Sequence, residues 1–202
     1  MIVEINNFVD YFQYNSVLIL TMFAISVVAL ILKYFTNGKS DTLLFSSYRS
    51  SLLNPLTYLR LFTHILGHSN WEHLINNYII ILLVGPMIEE KYGTIDLLLM
   101  ILITAFVVGV FNFIRGGIKL KGSSCIVFML IILSSFSNIQ AGKIPITFIL
   151  IFIFYVFREI KDLKANDGIS HIGHLLGALC GAVFGFRYMN GESLVDTISS
   201  LF

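Results

Sequence analysis

The chain is expected to fold as an all-α membrane protein, a bundle of six transmembrane helices with an interfacial segment between the first and the second. Three observations point that way. Of 202 residues, 56% are hydrophobic and 12% charged, with a mean hydropathy of +0.85, more apolar than a soluble domain requires. Six apolar stretches follow one another along the chain, at Val17–Leu32, Leu74–Ile88, Ile95–Ile114, Ser124–Phe136, Ile144–Phe157 and Ile169–Tyr188. All five histidines fall in two short clusters against these stretches, His64/His68/His73 and His171/His174. Ionisable groups at membrane depth are costly unless paired or hydrated, so they are kept there for a purpose. A net charge of +1 and the lack of a Gly-rich phosphate loop argue against nucleic-acid or nucleotide binding.

The first run follows Glu4 and Asp10 with no Lys or Arg before it, and ends at Lys33-Tyr34-Phe35 without a small-residue cleavage site. It reads as a retained helix, at about residues 15–35, rather than a signal peptide. Thr36 to Ser69 mixes Leu and Phe with Ser, Lys and Arg. It is too polar to span and too apolar for a free linker, so an amphipathic segment on the membrane interface is expected. Ser69-Asn70-Trp71-Glu72 matches a capping box and starts the second helix with Ser69 as its cap. His64 and His68 then lie in the entering loop. His73 and Asn77 are four residues apart, about 40° around a helix, and share one face.

The third run is long enough to span. The fourth begins Lys121-Gly122-Ser123-Ser124-Cys125 and is continuously apolar only to Leu133. Such a helix cannot cross about 30 Å of hydrocarbon. Its first residues are expected below the membrane surface, at the floor of a water-filled cavity, where irregular backbone is tolerated. The fifth run is also short, so its ends must meet protein or water. The sixth carries Gly173, Gly177, Gly181 and Gly185 at a spacing of four, a stripe that lets two helix backbones approach closely. His174 sits beside that stripe, about −60° from Gly177 and about −20° from Gly181. Cys125 and Cys180 lie in apolar runs, form no Cys-x-x-Cys pair and read as packing thiols.

A short helix opening at Ser124 beside a helix presenting His174 brings a hydroxyl within reach of an imidazole, the minimum for nucleophilic catalysis. His73, Asn77 and the Ser124 amide are available donors for an oxyanion. Each piece alone has a plainer reading: a helix cap for Ser124, a core residue for His174, an interhelix hydrogen bond for Asn77, packing for the glycines. Their coincidence in one bundle is what favours chemistry.

Taken in order, Arg60, His64-x-x-x-His68-x-x-x-x-His73-x-x-x-Asn77, Gly85-x-x-x-Glu89-x-x-x-Gly93, Gly122-x-Ser124 and His174-x-x-Gly177-x-x-x-Gly181 resemble the rhomboid intramembrane serine proteases, from about Arg60 to Gly185. The resemblance implies one rhomboid-like transmembrane domain over residues 1–202, with its core at 60–188. It implies a Ser124–His174 dyad with no third carboxylate. It places His73, Asn77, Gly122 and the Ser124 amide around the oxyanion, and makes Arg60, Glu89, Gly177 and Gly181 structural. Two positions depart from the family pattern. Cys125 stands where Gly is common, and Phe128 where a Tyr often packs on the catalytic His; the ring stacking is expected to survive. The Gly-x-Ser spacing favours Ser124 over Ser123, and the glycine offsets favour His174 over His171.

The function so implied is cleavage of transmembrane segments of membrane proteins, entered laterally from the bilayer. The expected substrates have helix-destabilised segments, because a helix hides its scissile carbonyls. No cofactor, metal or nucleic acid is called for, and a bacterial plasma membrane is the expected location. Two rivals stand beside this reading: an inactive rhomboid-like protein that binds transmembrane helices, and a metal or haem protein using His64/His68 and His171/His174. Orientation is contested within the sequence. Ten Lys/Arg fall on the side where the site opens (Lys33, Lys39, Arg49, Arg60, Arg115, Lys119, Lys121, Arg158, Lys161, Lys164) and three on the other (Lys91, Lys143, Arg187). The positive-inside rule puts that side in the cytoplasm, whereas the family resemblance implies an outward opening.

Overall fold

A computed structural model describes residues 14–137, 143–151, 153, 154, 157, 160 and 170–200. Helix α1 (Val17–Phe35) leads into a short α2 (Lys39–Leu44) and α3 (Pro55–Thr63), which runs on into a 3₁₀ turn at His64–Leu66. Then come α4 (Trp71–Tyr92), α5 (Thr94–Arg115), α6 (Ser124–Ser134), α7 (Ile146–Ile151), α8 (His171–Met189) and α9 (Leu194–Ser199). Among the described residues there is no strand, only an isolated antiparallel bridge between Ser47 and Leu120. Four helices, α1, α4, α5 and α8, are long and apolar enough to cross a membrane. The chain is an integral membrane protein. The fifth apolar run is represented by α7, and several of its later residues lie outside the described ones.

The expected amphipathic segment takes the form of α2, α3 and their connections. Pro55 opens α3 at a position where its missing N–H costs nothing, and the Asn54 side chain accepts from the Leu56 amide at 3.0 Å. Leu53 is 95% exposed in the preceding turn, as an apolar residue facing lipid headgroups would be. The inner face of α3 lies so close to α5 that a Cβ on Gly109 would meet the Leu61 backbone.

Helix α4 is capped by Asn70, not by the expected Ser69: the Asn70 side chain accepts from the His73 amide at 2.8 Å. Both residue types are good caps. The Ser69 amide is directed instead to His73 Nδ1, at 3.4 Å.

Eleven residues make up α6, about 16 Å at 1.5 Å per residue, too short to cross the hydrocarbon core. It is apolar on all sides, with Cys125, Ile126, Val127, Met129, Leu130, Ile132 and Leu133 buried, the pattern of a helix enclosed by others. Its closest partner is α8. A Cβ on Gly177 would fall on the Cys125 carbonyl, one on Gly181 on the Met129 carbonyl, and one on Gly185 in the Phe136 ring. The contacts advance in the same direction along both helices, so α6 and α8 run parallel and begin side by side. The stripe read from sequence is the device that sets their register.

Glu89, near the end of α4, ties three helices together. Its carboxylate accepts from the Ser16 hydroxyl, from the Leu18 amide at 3.3 Å in the first turn of α1, and from the Thr94 hydroxyl at 2.8 Å at the start of α5. A carboxylate beside a helix N-terminus is also favoured by the helix dipole. Glu89→Ala would leave these donors unpartnered where the carboxylate is only 5% exposed. A loss of about 2 kcal/mol is expected, read as a lower unfolding midpoint in detergent.

Candidate functional site

Both histidine clusters converge on the N-terminal ends of α6 and α8. A cavity of about 410 Å³ opens there, lined by Ser124, His174, His73 and Asn77 among others. Ser124 is the first residue of α6 and His174 lies in the first turn of α8. Phe128 is one turn beyond Ser124 on the same face of α6, and its ring stacks on the His174 imidazole with centroids 4.4 Å apart and planes 10° off parallel. The imidazole is thereby held over the face of α6 that carries Ser124. The expected stacking at this position is present.

On the opposite wall, α4 presents His73 and Asn77. Because the Ser69 N–H points to His73 Nδ1, the ring proton belongs on Nε2, which makes that atom a donor. Gly122 passes directly beneath: a Cβ there would lie 2.8 Å from His73 Nε2 and 3.6 Å from Asn77 Nδ2. Its φ of +116° is a conformation that side chains rarely adopt. Two physical demands, close approach and positive φ, thus select glycine two residues before Ser124.

Ser123 and Ser124 are separated by geometry. Ser123 is fully buried and its hydroxyl lies 3.2 Å from His68 Nε2, whereas Ser124 borders the cavity. His171 and His174 separate similarly. His174 borders the cavity, while His171 is not among its lining residues and sets its ring edge-on to His174 with centroids 6.1 Å apart. Arg60 and Glu89 lie away from the cavity lining. Arg60, 2% exposed, donates to the Leu43 carbonyl, the Ser50 hydroxyl and the Thr57 hydroxyl at 3.3, 2.7 and 3.2 Å. Its guanidinium also covers the Tyr48 ring at 4.5 Å. It pins the interfacial segment.

In sequence His64 and His68 fall in the entering loop, with metal binding as the rival reading of the pair; the structure gives both a positioning task. The His64 carbonyl accepts the Gly122 amide at 3.0 Å, and its Nε2 lies 3.0 Å from the Ala105 carbonyl, to which it donates. His68 Nδ1 lies 3.3 Å from the Leu66 carbonyl, which places its proton there. Nε2 then accepts from Asn77 Nδ2 at 3.3 Å and from the Ser123 hydroxyl. The second Asn77 amide hydrogen is left for the cavity. These histidines form a polar floor that fixes Asn77 and the Gly122–Ser124 turn. Among the described residues no three His, Cys, Asp or Glu side chains come together as a metal site.

Burial, the largest cause, pushes the His64 imidazole down to about 4 and that of His68 to about 3, against about 6.5 in an unfolded chain. Both lie outside the membrane-spanning helices. Between those values the unfolded chain binds protons that the folded chain refuses. Their contribution is therefore complete above about pH 6.5 and is lost as pH falls through about 4. Unfolding midpoints are expected to fall from pH 7 to pH 4; a flat profile across that window would contradict the neutral-histidine floor.

A protein-family model described as Rhomboid domain matches residues 55–191, a stretch that contains α3 to α8 and every residue of this site. No curated protein matches the chain.

Proposed function

Because the chain belongs to the rhomboid family, whose members are intramembrane proteases or inactive relatives, we propose that it is an active serine endopeptidase with a Ser124–His174 dyad. The observation that carries this reading is the shared cavity of Ser124 and His174, with the imidazole stacked on Phe128 one turn from the serine. An inactive relative has no need of both groups in one water-accessible space.

The chemistry then follows from the groups present. A neutral His174 takes the proton of the Ser124 hydroxyl as its oxygen attacks the scissile carbonyl carbon. Charge develops on the carbonyl oxygen. His73 Nε2–H, the free Asn77 amide hydrogen and the Ser124 N–H, an orphan donor at the start of α6, are the groups that answer it. When the C–N bond breaks, protonated His174 gives its proton to the leaving amine. Water entering by the cavity loses a proton to His174 and attacks the acyl ester, which restores the serine and releases the acid.

The substrates are membrane-protein segments whose helix opens readily near the cut, since a scissile carbonyl bonded within a helix is not available for attack. The test is cleavage of a single-span model substrate in liposomes, by wild type beside Ser124→Ala, with and without EDTA. Cleavage that resists EDTA and vanishes in the variant supports the proposal. Folded wild type that cuts none of several substrates would point to an inactive, helix-binding relative, and cleavage kept in Ser124→Ala but lost with EDTA to metal chemistry.

A further inference from the structure

One wall of the cavity is built from an extended piece of chain, Ile118 to Lys121, ahead of Gly122. Leu120 pairs with Ser47 through both backbone groups, at 2.9 and 2.8 Å, which holds this piece straight. Residues two apart in an extended segment project to the same side, so Lys119 and Lys121 share a face, and both border the cavity. Lys121 Nζ lies 2.5 Å from the Asp41 carboxylate. Lys119 Nζ lies 5.6 Å from the centroid of the Tyr48 ring, a ring whose neighbour is already the Arg60 guanidinium. Among the described residues Lys119 has no carboxylate partner.

A third cation stands close to Ser69, which lines the cavity. Lys33, at the end of α1, donates to the Ser69 and His68 carbonyls, just ahead of the helix that carries His73. Among the described residues, Asp41 is the one carboxylate paired with these lysines, and no described residue lining the cavity is acidic. Counted over these described groups, the rim is positive. A groove lined by one sign of charge between low-dielectric walls concentrates its field on what enters.

We propose that this rim makes the site selective for substrates with an acidic side chain within a few residues of the scissile bond, with Lys119 as the principal determinant and Lys121 as the second. The inference rests on the protease reading above and specifies its substrate class. Lys119 is suited to the part because its ammonium is held only against a ring face. Lys121 offers a charge already shared with Asp41, and an incoming carboxylate has to compete for it. Lys33 contributes field rather than contact, since its ammonium is committed to two carbonyls.

The experiment uses the full chain in vesicles of zwitterionic phosphatidylcholine, repeated with increasing fractions of anionic phosphatidylglycerol, and three single-span substrates identical except for Asp, Asn or Lys beside the cut. A preference for Asp over Asn in kcat/KM of about fivefold is expected, the size an exposed ion pair supplies, and it should shrink as salt is raised. Lys119→Gln should bring the ratio toward one, and Lys119→Glu should turn it in favour of the Lys substrate. A second variant, Lys121→Gln, should lower the ratio by a smaller factor. Cleavage that depends on Ser124 but shows a flat ratio in wild type, or a ratio untouched by both glutamine variants, would overturn this inference and leave the protease reading intact. Rates that follow the anionic lipid content of the vesicles, and not the substrate's acid, would likewise overturn it and assign the cations to headgroups. Absence of any Ser124-dependent cleavage would remove both.

Discussion

His174→Ala is expected to lower kcat by about 10⁴-fold, the upper end of what a positioned general base supplies, and Ser124→Ala to bring cleavage down to background. Under the proposed dyad the double variant should fall no further than Ser124→Ala alone, because a nucleophile and its base act as a unit. His174 borders the cavity and stacks on Phe128; His171, three residues earlier, is not among the cavity-lining residues and sets its ring edge-on to that of His174. His171→Ala is therefore expected to act on stability more than on kcat. Initial rates in liposomes, with helicity and unfolding midpoint measured beside them, separate the two effects. An active His174→Ala variant together with a folded but inactive His171→Ala variant would reverse the assignment.

What the sequence made legible was local. A spacing of four puts His73 and Asn77 on one face, and both border the cavity. The same spacing from Gly173 to Gly185 foretold the close approach of two backbones, and the break after Leu133 foretold a helix too short to span. Each follows from the 3.6-residue period, which is written into neighbouring positions. The contacts that were missed join residues far apart in the chain. Ser123 reaches back 55 positions to His68, Glu89 73 positions to Ser16, and Lys121 80 positions to Asp41. No periodicity encodes such pairs, because they depend on which loops the assembled helices bring together. The misplaced cap of α4 has a different cause. Ser69 and Asn70 are adjacent and both suit the position, and the choice was settled by His73, whose ring takes the Ser69 amide while its own amide goes to Asn70.

The register of α6 against α8 carries the second large effect. Gly177→Ala should be among the most damaging single-methyl changes in the chain, although alanine improves helix propensity by roughly 1 kcal/mol. The added methyl meets the Cys125 backbone, which cannot rotate away as a side chain would. Relief requires the two helices to part. Overpacking of this kind costs about 1–3 kcal/mol, and parting the helices moves His174 relative to Ser124. A displacement of about 1 Å between reacting groups costs on the order of 10²-fold in rate, so activity should fall well before the fold is lost. Gly173→Ala is the informative comparison. Its methyl would meet the Ser170 hydroxyl at 2.8 Å, the movable end of a small side chain, so a much milder loss is expected one turn earlier in the same stripe. Rates and unfolding midpoints for the two variants, measured side by side, decide the matter. A Gly177→Ala enzyme as fast and as stable as wild type would mean that the close backbone approach at Gly177 does not set the catalytic geometry.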